Sequence, residues 1–294
     1  MTEKTDDLVS LVRLIAEQIE NDEGLRQLLL ANGVMFGEIA APTFEEETRI
    51  RFMSDRFTES GLSDISVDEA GNAIARVPGK TGKRTVCLIA HADTVFPSSV
   101  DHAMAVQTDR VTGPGIARNS LGLASVAVMP ILLEKLEIEL DADLYLIGTT
   151  RNFGRGDLGG IRFFLDHFKQ SIDQAICIEA VHLGRLSYSS LGMLRGEIDV
   201  NVPEITNWNQ FGRMSAVRVI TKILNGLYAI PIPREPKTSI NIGTVESGKT
   251  YSDMTTTGAI RFEIRSEEAG RVSQIQEEID EILDEISQEN PFKV

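Results

Sequence analysis

The sequence predicts an α/β protein, in which a three-layer α/β/α domain is followed by a small α+β domain of the ferredoxin-like type. Two observations lead to this prediction. Between about residues 40 and 190, short apolar runs typical of buried strands alternate with helical segments, which favours a sheet with helices on both faces. After Gly192, apolar and polar residues alternate as in half-exposed strands, and the elements follow the order strand, helix, strand, strand, helix.

The N-terminal part of the chain is predicted to be helical. Apolar residues recur at three- and four-residue spacing through residues 8–30, with a break expected near residues 21–24. Another helix is expected after Pro42, where Thr43 can cap the exposed amides of the first turn, and Gly61 is expected to end it. Residues 1–37 are therefore assigned to an N-terminal helical extension.

The first main domain is predicted to span residues 38–191 and the second to span residues 192–290. Strands of the first domain are predicted at Ile65–Val67, Ala73–Val77, Thr85–Ala90, Leu144–Thr149 and Gln174–Ile178. Between them lie the small, apolar segment Leu121–Leu133 and a helix at Leu158–Phe168. In the second domain, strands are predicted at Arg195–Val202, Ser239–Val245 and Ala259–Arg265, and helices at Ser215–Leu227 and Val272–Ile286.

Composition and charge exclude some classes of function. The chain has 294 residues and a formal net charge of −15, which argues against nucleic-acid binding because phosphate contacts need a basic surface. No run of about 18 apolar residues occurs and the first residues are acidic and polar, so neither a membrane span nor a signal peptide is expected. Cys87 and Cys177 lie in apolar runs and are expected to be buried strand thiols, which favours a cytoplasmic location.

A candidate binding site follows a strongly apolar strand. The run CLIAHADTVFP places His91 and Asp93 just beyond the carboxyl end of that strand, where open α/β sheets bind their ligands. Histidine is a common metal ligand, and a nearby carboxylate often orients it. The alternative is a hydrogen-bonded structural histidine, and this run alone leaves both open.

Several strings in a fixed order resemble a known family of enzymes. They are APTFEEETR, DEAGNAIARVPG, HADTVFP, GPGIARNSLGLASV, GRGDLGG, AICIEA, NWNQFGRMSA and TSINIGTVESG. Together they resemble the dizinc aminopeptidases and deacylases that include peptidase T, carboxypeptidase G, aminoacylase and acetylornithine deacetylase. The resemblance covers roughly residues 38–290. It implies a catalytic α/β domain with an inserted lid domain that usually dimerises, in agreement with the two domains predicted above.

The resemblance implies a metal site that has lost part of its ligands. His91 matches the first zinc-ligand histidine, Asp93 the carboxylate that orients it, and Glu179 a further carboxylate ligand. Arg118 stands at the position of the aspartate that bridges the two zinc ions. A guanidinium cannot ligate zinc, because it has no lone-pair donor and stays protonated in proteins.

Other positions of the family's machinery are also changed. Asn152 stands where the resemblance places the general base, and Phe153 where it places a glutamate ligand. In the lid, Thr206 replaces the oxyanion-stabilising histidine, Trp208 is kept in the substrate pocket, and Ser252 replaces a substrate-binding asparagine. The returning C-terminal segment that carries the last histidine ligand is expected to be absent after Val294, unless the sequence is a fragment.

These changes lead to a hypothesis about charge. We expect Arg118 to replace the metal charge by pairing with Asp93 and Glu179, because carboxylates in a closed pocket need a cationic partner. The alternative is that Arg118 points to solvent from a loop. With His91 and Glu179 as the remaining ligands, no metal cofactor is expected, since a catalytic zinc normally has three protein ligands and a water.

The preferred function is that of a catalytically inactive homologue of these hydrolases, which acts as a binding, scaffold or regulatory subunit. A homodimer through the lid is expected, and a different partner chain could cover the open edge of the catalytic sheet. The alternative is an active metal-dependent peptidase or N-acyl amino acid deacylase. Its site would be rebuilt around His91, Asp93 and Glu179 with zinc or another divalent metal, or completed by a partner.

Overall fold

A computed structural model describes residues 2–179, 184–203, 215–251 and 255–288. The chain divides into two compact units, Met1–Leu183 and Gly184–Val294. The domain boundaries predicted after residues 37 and 191 stay predictions.

The helices of the first unit begin with the predicted N-terminal pair. They are α1 (Thr2–Asn21), α2 (Glu23–Glu38), α3 (Glu47–Glu59), α4 (Leu121–Lys135) and α5 (Gly159–His167). The break between α1 and α2 falls at Asp22, whose carboxylate accepts a hydrogen bond of 3.0 Å from the amide of Leu25. This cap satisfies one of the exposed amides at the start of α2 and explains why the chain ends one helix and begins another there.

The strands of the first unit form a mixed sheet and a short hairpin. The sheet strands are β1 (Ile65–Val67), β2 (Ala73–Val77), β3 (Thr85–His91), β6 (Asp143–Thr149) and β7 (Gln174–Cys177), and the hairpin strands are β4 (Ala105–Val106) and β5 (Val111–Thr112). The sheet has the order β1-β2-β6-β3-β7. Strands β6 and β7 both run parallel to β3, which lies between them, whereas β2 is antiparallel to β6.

Helices cover both faces of this sheet. On one face, Phe36 of α2, Met53 of α3 and Leu123 of α4 pack against Leu146 of β6 in one buried cluster. On the other face, Phe164 of α5 packs with Cys87, Ile89 and Ile147. The predicted three-layer α/β/α architecture is confirmed, and the removal of these aliphatic and aromatic side chains from water is its main stabilising force.

In the described part of the chain, one helical stretch, Ile116–Lys135, is long and apolar enough to cross a membrane. Burial accounts for this composition, because 56% of its most apolar window lies inside the protein and Leu123, Ala124 and Ala127 pack in the core beneath the sheet.

The second unit follows the predicted order of strand, helix, strand, strand, helix. Its elements are β8 (Gly192–Asn201), α6 (Ala216–Ala229), β9 (Thr238–Ser247), β10 (Thr257–Ser266) and α7 (Ala269–Gln288). Strand β10 lies between β8 and β9 and is antiparallel to both. Ile223 of α6 and Ile275 of α7 pack onto Ile260 of β10, so one face of this sheet is buried and the predicted α+β unit is confirmed.

Two local predictions were wrong. Thr43 does not cap the helix after Pro42, since α3 begins at Glu47 and the Thr43 hydroxyl instead donates a hydrogen bond of 2.8 Å to Asp93 Oδ2. A buried carboxylate is a stronger acceptor than water and draws the hydroxyl away from the helix end. Cys87 is buried as predicted but Cys177 is exposed, because β7 is an edge strand whose residues all face solvent.

Candidate functional site

The carboxyl ends of three neighbouring strands converge on one site. Because β6, β3 and β7 run parallel, the residues that follow them emerge at the same edge of the sheet. His91 ends β3, Asn152 and Phe153 lie in the loop after β6, and Glu179 follows β7. We call this group, together with Asp93, the strand-end site.

His91 lies between two carboxylates and is 3% exposed. Its Nδ1 is 3.2 Å from Asp93 Oδ1, and its Nε2 is 3.6 Å from Glu179 Oε2. Burial by itself opposes protonation, but the contacts with Asp93 and Glu179 outweigh it and raise the pKa of His91 to about 9. An imidazolium therefore supplies the positive charge that faces both carboxylates at neutral pH.

Asp93 connects this histidine to two other parts of the chain. Its Oδ2 accepts hydrogen bonds from the backbone amides of Asn152 and Phe153, at 2.9 and 2.8 Å, and from the Thr43 hydroxyl. Burial opposes ionisation, yet His91, the Phe153 amide and the Thr43 hydroxyl lower the pKa of Asp93 below its ordinary value. Asp93 thus holds the loop after β6 against the end of β3 as a charged acceptor.

The two residues expected at the lost base and ligand positions are brought to the site. The Phe153 ring stands edge-on to the His91 imidazole, with centroids 4.8 Å apart and an angle of 84° between the ring planes. Residues 150–156 contain no carboxylate. The loop therefore lacks both an acidic base and an acidic ligand, also when the alignment with the family is moved by one residue. An aromatic ring occupies the space beside His91 where the family resemblance implies an anionic oxygen.

Arg118 reaches the same site by a different contact from the one expected. Its guanidinium carbon lies 5.3 Å from the centroid of the Phe153 ring, and the residue is exposed. Within the described residues, the ion pairs of Asp93 and Glu179 are formed with His91, and none is formed with Arg118. The expectation that Arg118 pairs with these carboxylates was wrong, because the buried His91 lies between them and pairs with both.

A hydrogen bond fixes the loop that carries Arg118. Asn119 is buried, and its Nδ2 donates a hydrogen bond of 2.8 Å to the carbonyl oxygen of Ile178. This bond joins the residue after Arg118 to the residue before Glu179. Gly115, at the start of this loop, has a φ of +73°, which glycine adopts without strain. Its carbonyl oxygen accepts a hydrogen bond from the amide of Ser120, which closes a turn.

Sequence reasoning missed several residues that support the site. Arg49 is fully buried and donates a hydrogen bond of 2.9 Å to the carbonyl oxygen of Ala92. Burial lowers the pKa of Arg49 to about 10, although attraction to Asp93 opposes this shift. Glu46 accepts a bond of 2.7 Å from the amide of Arg151. Glu46 and Arg49 both lie in the string APTFEEETR, but that string indicates no role for either side chain.

Asn72 is a further residue with a positioning role. Its Oδ1 accepts a hydrogen bond of 2.9 Å from the amide of Thr150, and its Nδ2 donates one of 2.9 Å to the carbonyl oxygen of Gly160. These bonds tie the loop after β6 to the start of α5. The remaining predicted site residues, Thr206, Trp208 and Ser252, lie outside the described residues.

The donor set does not fit a pair of metal ions. Among the residues that the structure describes, no group of three or more His, Cys, Asp or Glu side chains is placed to hold a metal. At the strand-end site, His91 Nε2 and Glu179 Oε2 face each other, but the Asp93 carboxylate is engaged by His91, Thr43 and two amides. A catalytic zinc normally takes three protein ligands.

Comparison with known proteins identifies this fold. No family model and no curated protein sequence matches the chain. Among solved structures, the aminopeptidase PepT of Bacillus cereus has 16% sequence identity and a TM-score of 0.63, over 91% of this chain and 74% of that chain. The di-peptidase Dug1p of Saccharomyces cerevisiae has 13% identity and a TM-score of 0.69, over 95% of this chain and 77% of that chain.

A third similar structure is described as a member of the M20 family. A dinuclear metal-binding peptidase of Bacillus subtilis from the M20 family has 12% identity and a TM-score of 0.59, over 92% of this chain and 73% of that chain. At such low identity the similarity concerns the fold, and it agrees with the family resemblance found in the sequence. The chain is built on the fold of the M20 metallopeptidases.

Proposed function

We propose that this chain is a catalytically inactive protein on the metallopeptidase fold, and that it acts as a binding, scaffold or regulatory subunit. The observation that carries the proposal is the loop after β6. Its backbone amides at Asn152 and Phe153 are anchored on Asp93, and the Phe153 ring rests against His91. No residue of this loop from 150 to 156 can act as a carboxylate base, and a general base typically contributes about 10²- to 10⁴-fold in rate.

The test is a hydrolysis assay on the full chain, purified without a histidine tag. Dipeptides, tripeptides and N-acyl amino acids are incubated with the protein in the presence of Zn²⁺, Co²⁺ or Mn²⁺, and products are separated by chromatography. We expect no cleavage above that of the His91→Ala variant. Cleavage by the wild-type chain that disappears in His91→Ala would overturn the proposal.

One observation favours the alternative of an active, single-metal hydrolase. His91 Nε2 is buried without a hydrogen-bond partner among the described residues, and it faces Glu179 Oε2 at 3.6 Å. Two donors at this separation could share one cation. Elemental analysis distinguishes the two functions: about one tightly bound ion per chain, lost in both His91→Ala and Glu179→Gln, would favour the hydrolase.

We also propose that the chain forms a homodimer through its second unit and works in the cytoplasm. The long outer strands β8 and β9 of the second sheet support dimerisation, because an unpaired strand edge is a site of association. The exposed edge strand β7 supports a different partner on the first unit. Light scattering of the full chain and of a variant with a proline within β9, Ile242→Pro, tests the homodimer, and a monomeric wild-type chain would contradict it.

A further inference from the structure

The guanidinium of Arg118 is held in an unusual setting. It lies over the Phe153 ring, whose centroid is 5.3 Å from its central carbon, and this ring in turn packs edge-on against the buried His91. Its loop is anchored by the bond from Asn119 to Ile178. An arginine that is restrained by a ring contact and by an anchored loop loses less conformational entropy on binding a ligand than a free surface arginine does.

This guanidinium forms no ion pair with an acidic side chain among the described residues, in contrast to several other arginines of the chain. Arg76, for example, pairs with Asp64 and Asp143, and Arg261 pairs with Glu197 and Glu246. The hydrogen-bond donors of this guanidinium are therefore available to an anion from outside the chain, and its contact with the Phe153 ring sets it apart from a free surface arginine.

The surroundings select the class of anion. A guanidinium binds planar carboxylates and phosphates through two parallel hydrogen bonds. The apolar ring of Phe153 beside the cation favours an organic acid over an inorganic ion such as phosphate.

We propose that Arg118 and Phe153 form a binding site for the carboxylate group of a small organic ligand, which the chain holds without hydrolysing. This inference rests on the proposed function, since it names the class of ligand that the inactive site would take. The carboxylate could belong to the C-terminus of a short peptide or to a free organic acid. In both cases the guanidinium of Arg118 donates two hydrogen bonds to it.

Isothermal titration calorimetry on the full chain tests the site. The probes are the peptide Ala-Ala-Ala, its C-terminal amide, glutarate and inorganic phosphate. We expect binding of Ala-Ala-Ala or glutarate. The amide should bind at least about tenfold more weakly, which corresponds to about 1.4 kcal/mol, because it lacks the carboxylate. Arg118→Gln should show a similar loss, because it lacks the guanidinium. Binding of the peptide without glutarate identifies a C-terminus as the ligand, and the reverse identifies a free acid.

The variants Arg118→Gln, Arg118→Lys and Phe153→Leu separate the contributions of the positive charge, the paired hydrogen-bond donors and the aromatic ring. Arg118→Lys keeps the charge but loses the paired donors, and Phe153→Leu keeps the charge but loses the ring, so both should weaken binding by less than Arg118→Gln. Arg110→Gln is the matched control, because Arg110 is exposed and pairs only with the neighbouring Asp109 in the described structure. Unchanged binding in Arg118→Gln, equal binding of the amide, tighter binding of phosphate, or no binding of any probe would overturn the site.

The outcome for this site is distinguishable from that of the proposed function. After each titration, the peptide is recovered and analysed by chromatography. Cleaved peptide would contradict the inactive-subunit function and leave an Arg118-dependent carboxylate site standing. Intact peptide with no Arg118-dependent binding would overturn the site and leave the inactive-subunit function standing. Thermal unfolding midpoints of the variants confirm that each remains folded.

Discussion

Asp93 and Phe153 are joined by a hydrogen bond of 2.8 Å from the backbone amide of Phe153 to the Asp93 carboxylate, across 60 positions of sequence. This bond holds the loop after β6 against the end of β3. It also fixes the Phe153 ring between His91 and Arg118, so one backbone contact organises the strand-end site.

Asp93→Asn should destabilise the protein by about 3 kcal/mol, because it removes one partner of a buried ion pair and weakens three hydrogen bonds to a charged acceptor. Urea unfolding followed by circular dichroism measures this loss. Asp109→Asn is the control, since Asp109 pairs with Arg110 on the surface and should change stability by less than about 1 kcal/mol. Equal losses in the two variants would contradict the role of Asp93.

Stability should decrease between pH 6.5 and about 9 because of His91. Its pKa is raised from 6.5 to about 9, so the folded state binds the proton more tightly than the unfolded state does. The resulting stabilisation is complete below pH 6.5 and is lost as the pH rises through 9; it amounts to about 3 kcal/mol. The lowered pKa of Asp93 keeps that group ionised throughout this window.

The measurement is the free energy of unfolding in urea at several pH values between 6 and 9.5, for wild type and His91→Gln. The variant cannot take up the proton and should show a flatter profile. Parallel profiles for the two proteins would show that His91 is not the group responsible.

Gly160→Ala should lower the free energy of unfolding by about 2 kcal/mol. A Cβ at this position would lie 2.5 Å from Asn72 Oδ1 and closer still to the carbonyl oxygen of Thr150, so the loop after β6 would have to move. Gly270→Ala is the matched control in α7, where a Cβ meets nothing within 4 Å and alanine is the better helix former. Thermal midpoints should fall for the first variant and stay level or rise for the second.

Arg49→Met should destabilise the protein by about 3 kcal/mol, although methionine fills a similar volume. The substitution leaves the carbonyl oxygens of Ile39 and Ala92 without their donor and removes a buried cation near Asp93. Arg110→Met, at an exposed position, should have little effect in the same urea unfolding assay. A stable Arg49→Met protein would indicate that the buried cation is not needed to hold α3 against the end of β3.

Much of the first unit was predictable from local patterns. The apolar runs at Thr85–Ala90 and Leu144–Thr149 correspond to β3 and β6 within one residue, because a strand buried on both faces must be apolar throughout. The break before α2 was also predictable, since Asp22 caps that helix with its own side chain. Cys177 was not predictable, because an apolar run does not reveal whether its strand lies in the centre or at the edge of the sheet.

The sequence by itself determined which chemical groups stand at the strand ends: His91, Asp93 and Glu179, with Arg118 and Phe153 where the family resemblance implies ligands. Only the tertiary structure decided which of them pair. His91 pairs with both carboxylates, and the Arg118 guanidinium lies over the Phe153 ring. The Thr43 hydroxyl, which was expected to cap a helix, donates its hydrogen bond to Asp93. The physical reason is that ion pairing and hydrogen bonding depend on burial and on distances of a few ångströms. These strands are far apart in sequence, so their ends come this close only when the sheet has formed.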